Sequence, residues 1–440
     1  MTIRHSTIVL VLAALLCGCG GASSDAVVST DRTGASSSTS SVQGKTLDGV
    51  TFTDPALRDC VANSYDADTD LAAVMTLECG SHNIEDLSGI ENLTSLTRLV
   101  LFDNRISDIS ALATLTSLVQ LEIFGNEVVE LDALSNLNEL QLLYAWDNEI
   151  TDVSALSTLT QLDQLALYLN DISSVDGLST LTQLRSLALG DNNIADLTPL
   201  SGLANLEILG LYRNAISDVS PLATLTELEQ LYLFGNDIGD IAPLVSLERL
   251  VTLNLDKNRV LDIASVANLN QLTNLFLKSN NIEDISALTD LTKLTMLSLD
   301  ENRISDVSAL GSLRGLVELT LRGNRISDIG ALANLDSIFF LDLRSNLVQD
   351  IDPLANLSTL VFLTLGNNSL TEVSDLSGLQ NLSSLDLENN NLTRLDGLES
   401  LTELTFLLLD GNAGLACGDV DALQVSLSKT VVSVPAQCGG

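Results

Sequence analysis

Side chains that could act as catalytic groups are scarce in this sequence. His82 is the one histidine outside the first 18 residues, and its place near the start of a repeated pattern suits a structural role. The sequence contains no Gly-rich phosphate loop and no HExxH or G-x-S-x-G motif. Carboxylates are abundant, but on an open surface they do not form a water-excluding acid–base pair. We therefore expect a protein that is not an enzyme and has no catalytic residue, cofactor or metal site.

Aromatic residues, which are common anchors at binding interfaces, recur at one constant interval along the chain, the interval from Phe102 to Phe124. The series contains only one position that is not aromatic, and it reads Phe102, Phe124, Trp146, Tyr168, Gly190, Tyr212 and Phe234. The next eight positions at this interval contain no aromatic residue. An element that repeats with the same interval must therefore position these side chains.

The repeating element is visible in the stretch 228–249, LEQLYLFGNDIGDIAPLVSLER. It begins with L-x-x-L-x-L-x-x-N, and equal steps along the chain, starting with Asn104 and Asn126, reach an asparagine fifteen times and end at Asn412. A fixed period of about 20–29 residues with this pattern predicts a solenoid in which each repeat adds one short parallel strand. Leu231 and Leu233 lie two residues apart and share the buried face of the strand. Asn236 is expected to satisfy buried backbone groups at the bend with its amide.

Strand alternation places the aromatic series on the exposed, concave face of the sheet. Thirteen of the fifteen aromatic residues fall at outward strand positions, and only Phe52 and Tyr65 lie elsewhere. Stacked rings would stabilise a sheet by about 0.2–1 kcal/mol per pair, but a contiguous exposed apolar patch usually marks an interface. We therefore favour a binding surface, for which the candidate anchors are Phe102, Phe124, Tyr144, Trp146, Tyr168, Tyr212, Tyr232, Phe234 and Phe276.

The distal half of the same face is charged. Asp256, Lys278, Asp300 and Arg322 continue the aromatic column with alternating sign, which favours lateral ion pairs. Arg322, Arg325 and Arg344 belong to a basic island, and we expect them to steer an acidic partner. The whole chain has 58 acidic and 20 basic residues, a net charge of −38. This balance argues against nucleic acid or an anionic membrane as an electrostatic partner.

A second column consists of aspartates on the returning side of the repeats. All but Asp196, which precedes Leu197, are followed by Ile or Val and then mostly by a small residue, which fits a cap for a short 3-10 turn. A column of calcium-binding carboxylates is the alternative, but calcium also needs converging oxygen atoms that the sequence does not show. The column comprises Asp108, Asp152, Asp196, Asp218, Asp240, Asp262, Asp284, Asp306, Asp328 and Asp350.

The N-terminus predicts export. Residues 1–18 form a signal whose apolar run, Ile8–Leu16, is too short to span a bilayer. The residues LCGC at 16–19 resemble a bacterial lipobox, which implies cleavage before Cys19 and its lipidation; cleavage by an ordinary signal peptidase near Ala22 is the alternative. Gly20 is compatible with outer-membrane sorting of such lipoproteins. Residues 19–49 are rich in Ser, Thr and Gly and predict a flexible tether.

Residues 50–92 predict an N-terminal cap and a first imperfect repeat, with Asp54 capping a helix over 55–63. Regular repeats follow over 93–412, and residues 413–440 predict a C-terminal cap with a helix over 419–428 and a strand over 430–434. Four cysteines remain for disulfides in the oxidising compartment, and they allow three pairings. Sixteen strands about 4.8 Å apart would separate the two ends by roughly 70 Å. This separation leaves only Cys60–Cys79 and Cys417–Cys438.

The unit LxxLxLxxNxIxDIxxLxxLxx, the helical opening FTDPALRDCV and the cysteine-closed end resemble the 22-residue class of leucine-rich repeats, which includes bacterial internalins. The resemblance covers about 50–440. It implies an α/β repeat solenoid, an arc with a concave parallel sheet of about 16 strands and 3-10 turns on the convex side. A helical N-terminal cap and a disulfide-closed C-terminal cap complete this fold. Internalin-like proteins grip host receptors with the concave sheet, and because this chain has no sortase motif only the recognition surface carries over.

These inferences predict a monomeric lipoprotein, anchored to the bacterial and in particular the outer membrane, that faces the periplasm or the cell surface. Its expected function is to bind a protein partner through the aromatic concave face. Binding of an envelope or extracellular polysaccharide along the aromatic column is the alternative. A passive structural spacer is the third hypothesis, and it predicts that no change on the concave face has an effect.

Overall fold

The computed structural model describes residues 45–438, so the predicted export signal and Cys19 lie outside the described residues. The described residues fall into two compact units, 45–149 with 161–167 and 150–160 with 168–438. Each unit has a parallel sheet of three-residue strands. The strands of the first unit are β1 (Thr76–Glu78), β2 (Arg98–Val100), β3 (Gln120–Glu122), β4 (Leu142–Tyr144) and β5 (Gln164–Ala166). Those of the second are β6 (Ser186–Ala188), β7 (Ile208–Gly210), β8 (Gln230–Tyr232), β9 (Thr252–Asn254), β10 (Asn274–Phe276), β11 (Met296–Ser298), β12 (Glu318–Thr320), β13 (Phe340–Asp342), β14 (Phe362–Thr364), β15 (Ser384–Asp386), β16 (Phe406–Leu408) and β17 (Val431–Ser433).

The predicted leucine-rich-repeat fold is confirmed by the register of these strands. Leu231 of β8 lies opposite Leu209 of β7 on one side and Leu253 of β9 on the other, so partners are one repeat apart. Each of these leucines is fully buried, as the L-x-x-L-x-L pattern requires. Sixteen strands belong to repeats, and the seventeenth, β17, lies in the C-terminal cap. The predicted number of about 16 therefore describes the repeats alone.

The recurring asparagines satisfy backbone groups of two successive repeats. Asn236 is 7% exposed, and its Nδ2 donates to the carbonyls of Leu211 and Leu233 at 3.0 and 2.9 Å. Its Oδ1 accepts from the backbone N–H groups of Asn214 and Ile216 at 3.2 and 3.1 Å. Because buried backbone groups need partners, a side chain with both donor and acceptor atoms is required at this position.

The aspartate column caps the 3-10 turns, as predicted. Asp240 Oδ1 accepts from the Ala242 N–H at 2.8 Å, where the turn Ala242–Ser246 begins. The other nine aspartates of the column make the same bond to the N–H two residues later. The bond from Ser220 lowers the pKa of Asp218. Within residues 45–438 no group of three or more His, Cys, Asp and Glu residues is placed to hold a metal ion.

The N-terminal cap contains helix α1 (Pro55–Ser64), one residue longer than predicted. Asp54 caps it as predicted, because its Oδ1 accepts from the Ala56 N–H at 2.7 Å. The cap also starts earlier than residue 50, where we placed the end of the tether. Leu47 is only 7% exposed, and its N–H donates to the Thr69 carbonyl at 3.1 Å. Residues 45–49 therefore belong to the cap.

Both predicted disulfides are present. The Cys60–Cys79 bond joins α1 to the end of β1, with the Cα atoms 5.9 Å apart. The Cys417–Cys438 bond closes the C-terminal cap, with the Cα atoms 5.1 Å apart. That cap contains helix α2 (Cys417–Ser426), which starts two residues before the predicted helix. In the part of the chain that the structure describes, no helix has the length and apolar composition to cross a membrane.

Candidate binding surface

The outward face of the first unit carries a stack of three aromatic rings, which we call the first stack: Phe102, Phe124 and Trp146. The Phe102 and Phe124 ring centroids lie 4.9 Å apart with 2° between the ring planes, and those of Phe124 and Trp146 lie 4.1 Å apart with 10°. Parallel rings this close must overlap face to face, because coplanar neighbours would collide. The three side chains are half-buried, so they present ring edges to solvent.

A glycine makes room for the first ring of this stack. A Cβ atom placed on Gly80 would lie 2.6 Å from Cζ of Phe102, so only a residue without a side chain fits there. The first stack therefore rests on the bare backbone that follows β1. Stacking at strand spacing is favourable by about 0.5–1.5 kcal/mol per pair beyond the area that the rings bury.

The second unit carries its own pair of stacked rings, the second stack: Tyr212 and Phe234. The centroids are 4.7 Å apart with 3° between the planes. Gly190 interrupts the aromatic series in the sequence, but it does not leave a gap. A Cβ atom on Gly190 would lie 2.2 Å from Cζ of Tyr212, so the tyrosine ring occupies the space above this glycine.

Arg213 belongs to the second stack, although no motif or column in the sequence pointed to it. Its guanidinium carbon lies 5.8 Å from the centroid of the Phe234 ring, within the range of a cation–π contact. Its Nη1 lies 3.3 Å from Oδ1 of Asp191. The two contacts hold the guanidinium beside the ring, and this places a polar group at the edge of an apolar surface.

Three predicted anchors are much less accessible than strand alternation suggests. Tyr144, Tyr212 and Tyr232 are 8%, 4% and 7% exposed. The Tyr144 hydroxyl donates to Gln164 and the Tyr232 hydroxyl donates to Gln230, both at 2.8 Å, because each side chain lies down along the sheet. Burial is also the main cause of the raised pKa values of Tyr212 and Tyr232. In the first unit the half-buried Phe102, Phe124 and Trp146 are more accessible than Tyr144, and in the second unit Tyr168, Phe234 and Phe276 are more accessible than Tyr212 and Tyr232.

Beyond Phe234 the same column of the second unit becomes a network of charges, as the alternating signs predicted. Asp256 Oδ1 accepts from the Lys278 N–H at 2.7 Å, and Asp300 Oδ1 accepts from the Arg322 N–H at 2.9 Å. Lys278 Nζ lies 3.9 Å from Asp300 Oδ2. Burial raises the pKa of Asp256 to about 6, against the opposing effect of its bond from Lys278. Burial likewise raises the pKa of Asp300.

The three arginines of the basic island differ in their contacts, because Arg344 forms an ion pair within this chain whereas Arg322 and Arg325 do not. The Arg344 guanidinium is already paired within this chain, because its Nε and Nη2 both bind the carboxylate of Asp342, at 3.0 and 2.5 Å. Eleven of the thirteen arginines in residues 45–438 form an ion pair with a carboxylate. Arg322 and Arg325 are the two without one in that part of the chain, and both are exposed.

His82 has the structural surroundings that its position suggested. Its Nδ1 lies 2.6 Å from the Gly80 carbonyl oxygen, and its N–H donates to Oδ1 of Asn104 at 3.0 Å. The ring therefore braces the bend below the first stack.

Comparison with known proteins identifies relatives along most of the chain. A model of two consecutive leucine-rich repeats matches residues 94–137, 182–224, 204–246, 270–312 and 292–336. The internalin InlF of Listeria monocytogenes is 32% identical over 80% of this chain and 94% of that chain, with a TM-score of 0.62. A leucine-rich-repeat protein of Leptospira interrogans is 25% identical over 83% and 96%, with a TM-score of 0.78. The functional domain of InlJ from Listeria monocytogenes is 26% identical over 81% and 74%, with a TM-score of 0.65. No curated protein matches the chain.

Proposed function

The chain belongs to the internalin-like leucine-rich-repeat proteins, whose fold is typical of protein-interaction modules, and we propose that it binds a protein partner through its aromatic sheet face without catalysing a reaction. The first stack supplies one set of anchors, and Tyr168 and Phe234 supply another in the second unit. Trp and Tyr are frequent energetic anchors of protein interfaces. In the second unit the buried Tyr212 stacks against Phe234 and holds its ring in place.

The observation that carries this proposal is the orientation of the rings. A sugar stacks on the open face of an aromatic ring, but both faces of Phe124 are covered by Phe102 and Trp146 at 4.9 and 4.1 Å. What remains for a ligand is a row of apolar edges. Such a row suits the side chains of a protein better than a polysaccharide chain, which needs open ring faces and many hydrogen-bonding groups.

The exposed arginines add a polar contact to this surface. Arg322 and Arg325 form no salt bridge within the described residues, although Arg322 is near enough to Glu301 to help lower the pKa of that carboxyl, on a chain with a net charge of −38. Charged groups at the rim of an interface mainly accelerate association and select the partner. We therefore assign the two arginines to an acidic segment of the partner, and Arg344 to the support of Asp342.

The proposal places the protein in the bacterial envelope, as a monomer held by a lipid on Cys19 and a tether that ends near residue 44. The lipobox-like LCGC at 16–19 and the Ser/Thr/Gly-rich segment support this anchorage. A lipid anchor beside a stable solenoid would present the sheet face to proteins of the periplasm or the cell surface.

Cross-linking in intact cells tests the proposal. A photoreactive phenylalanine analogue at Tyr168 should give a discrete adduct that contains peptides of a second protein, whereas the same analogue at Ser308, on the 3-10 turn 308–312, should give none. An adduct that contains no second protein and loses mass on glycan hydrolysis would favour polysaccharide binding. Equal labelling patterns from positions 168 and 308 would contradict a binding site on the sheet face.

A further inference from the structure

The residue before each recurring asparagine has a left-handed backbone conformation. All fifteen such residues have a positive φ, because the chain must turn sharply out of the strand there. Gly, Asn and Asp tolerate this conformation best. The fifteen residues are Asp103, Gly125, Asp147, Leu169, Asp191, Arg213, Gly235, Lys257, Ser279, Glu301, Gly323, Ser345, Asn367, Asn389 and Gly411.

Leu169 is the single apolar residue in this set. It has a φ of 56°, a conformation that is strained for a bulky side chain. The repeat does not require a leucine, since Asn367 and Asn389 occupy the same position with φ values of 58° and 52°. The residue is also 44% exposed, so much of its apolar surface is open to a partner. Because every repeat has this conformation, what distinguishes Leu169 from the other residues of the set is its exposed apolar side chain.

The position of Leu169 connects it to the aromatic surface of the second unit. It directly follows Tyr168, and its N–H donates to the Gly190 carbonyl at 3.0 Å. Gly190 is the residue on which the Tyr212 ring rests. The exposed leucine therefore stands where the aromatic face meets the bend, next to the backbone that supports the second stack.

We propose that Leu169 is a specificity-determining residue that inserts into an apolar pocket of the protein partner. This inference rests on the proposed function, since it names the chemistry that the partner must offer beside the aromatic anchors. An aliphatic side chain gains little from a hydrated polysaccharide, but a protein pocket can bury it completely.

A charged residue near Leu169 predicts which side chains should surround the pocket on the partner. Asp171 is exposed and forms no ion pair within the described residues, and the chain carries a net charge of −38. A partner pocket rimmed by Lys or Arg would complement this surface, whereas an acidic rim would be repelled. The occupant that fits Leu169 is thus a protein with an apolar pocket and a basic rim.

Substitution of Leu169 by Asn separates binding from folding. The probe is the protein identified in the Tyr168 adduct, prepared separately in free form, and its affinity is measured by biolayer interferometry at low and high salt. Leu169→Asn should weaken binding at least about tenfold, because burial of one leucine contributes that much. It should leave the melting temperature unchanged or raise it by about 1–2 °C, because Asn tolerates the left-handed conformation. Leu169→Met should retain most of the affinity.

The matched control is Leu261→Asn. Leu261 is 58% exposed, and it is not among the residues with positive φ. The inference requires that this variant binds within about twofold of the wild type, and that affinity for the wild type falls as salt rises. Equal affinities of wild type and Leu169→Asn, or equal losses in Leu169→Asn and Leu261→Asn, would overturn it while the proposed function stands. Absence of a protein adduct at Tyr168 would remove both.

Discussion

In the second unit, Tyr212 and Phe234 are followed in the same outward column by Asp256, Lys278 and Asp300, and the two sets are held in different ways. The rings stack on one another and on bare glycine backbone. The charged side chains bond to backbone N–H groups and to each other across neighbouring repeats. The backbone beneath them is the same, with leucines inside and an asparagine at each bend.

The difference shows that the repeat determines the position of an outward side chain but does not determine which type of residue occupies that position. Leu231 and Leu253 are equally buried beneath the aromatic and the charged parts, so the core does not distinguish them. Function must therefore be sought in residues that depart from their column. Gly190 and Leu169 are departures of this kind.

Replacement of an asparagine at a bend should disturb both parts of the column and have the largest effect. Asn236→Leu removes two donated and two accepted hydrogen bonds, and we expect a loss of about 4 kcal/mol in the free energy of unfolding. Urea denaturation measures this loss. Asn205→Leu, at an exposed asparagine with one bond to the Thr182 carbonyl, is the control and should lose less than about 1 kcal/mol. Similar losses at the two positions would show that the bend is not special.

In the charged part of the column, the ionised carboxylate of Asp256 should lower the free energy of unfolding at neutral pH. The folded pKa of Asp256, about 6, exceeds its ordinary value of 3.8, so its contribution to stability is fully present below the ordinary pKa and is lost as the pH rises through the folded value. Asp256→Asn should therefore raise the free energy of unfolding by about 3 kcal/mol at about pH 7.5.

The gain from Asp256→Asn should vanish near about pH 4, where the wild-type carboxyl is already protonated in the folded state. Unfolding of both proteins in urea at several pH values gives the difference directly, and the general effect of net charge cancels between them. A difference that does not change with pH would contradict the assignment of the raised pKa to Asp256.

Substitutions of the ion-paired Arg344 and of Arg322, which has no ion pair, should differ in their effect on the stability of the protein. Arg344→Ala leaves the carboxylate of Asp342, whose side chain is 4% exposed, without its charged partner, and we expect a loss of about 2 kcal/mol. Arg322→Ala removes an exposed side chain without an ion pair and should change stability by less than about 0.5 kcal/mol. Thermal unfolding of the two variants side by side makes the comparison. Equal losses would mean that Arg322 has a structural role.

Among these substitutions, replacement of the glycine beneath the Tyr212 ring should have the smallest effect on stability. Gly190→Ala places a methyl group 2.2 Å from Cζ of Tyr212 and must displace the ring, which we expect to destabilise the fold by about 1 kcal/mol and to weaken partner binding. The control is Gly210→Ala in β7, where the nearest atom, of the same tyrosine, is 3.7 Å away. Near-ultraviolet circular dichroism reports the stack. Identical spectra for the two variants would contradict the role of Gly190.

Much of this structure could be predicted because the repeat is exact. Asn104 and the asparagines that follow it at equal steps fix the register, and the register then locates β-strands, turn caps and outward positions. The pairing of Cys60 with Cys79 followed from the length of the repeat array. These inferences depend on backbone geometry, which a strict period determines.

The solvent accessibility of the outward side chains could not be predicted in the same way, because it depends on the conformation that each side chain adopts. Tyr144 and Tyr232 occupy outward positions but lie along the sheet and bond to glutamines. Arg344 turns to Asp342, although its position resembles that of Arg322. Leu169 could have been noticed in the sequence as the lone apolar residue in its column, but only the positive φ shows that it is strained there.

The most direct test of a protein-binding aromatic face is capture of the partner by immobilised variants. Trp146→Ala combined with Tyr168→Ala should abolish capture of the protein that cross-links at position 168, while the melting temperature falls by only a few degrees. Phe406→Ala, at an aromatic residue that is 51% exposed in β16, should capture as the wild type does. Undiminished capture by the double variant would contradict a protein-binding role for this face.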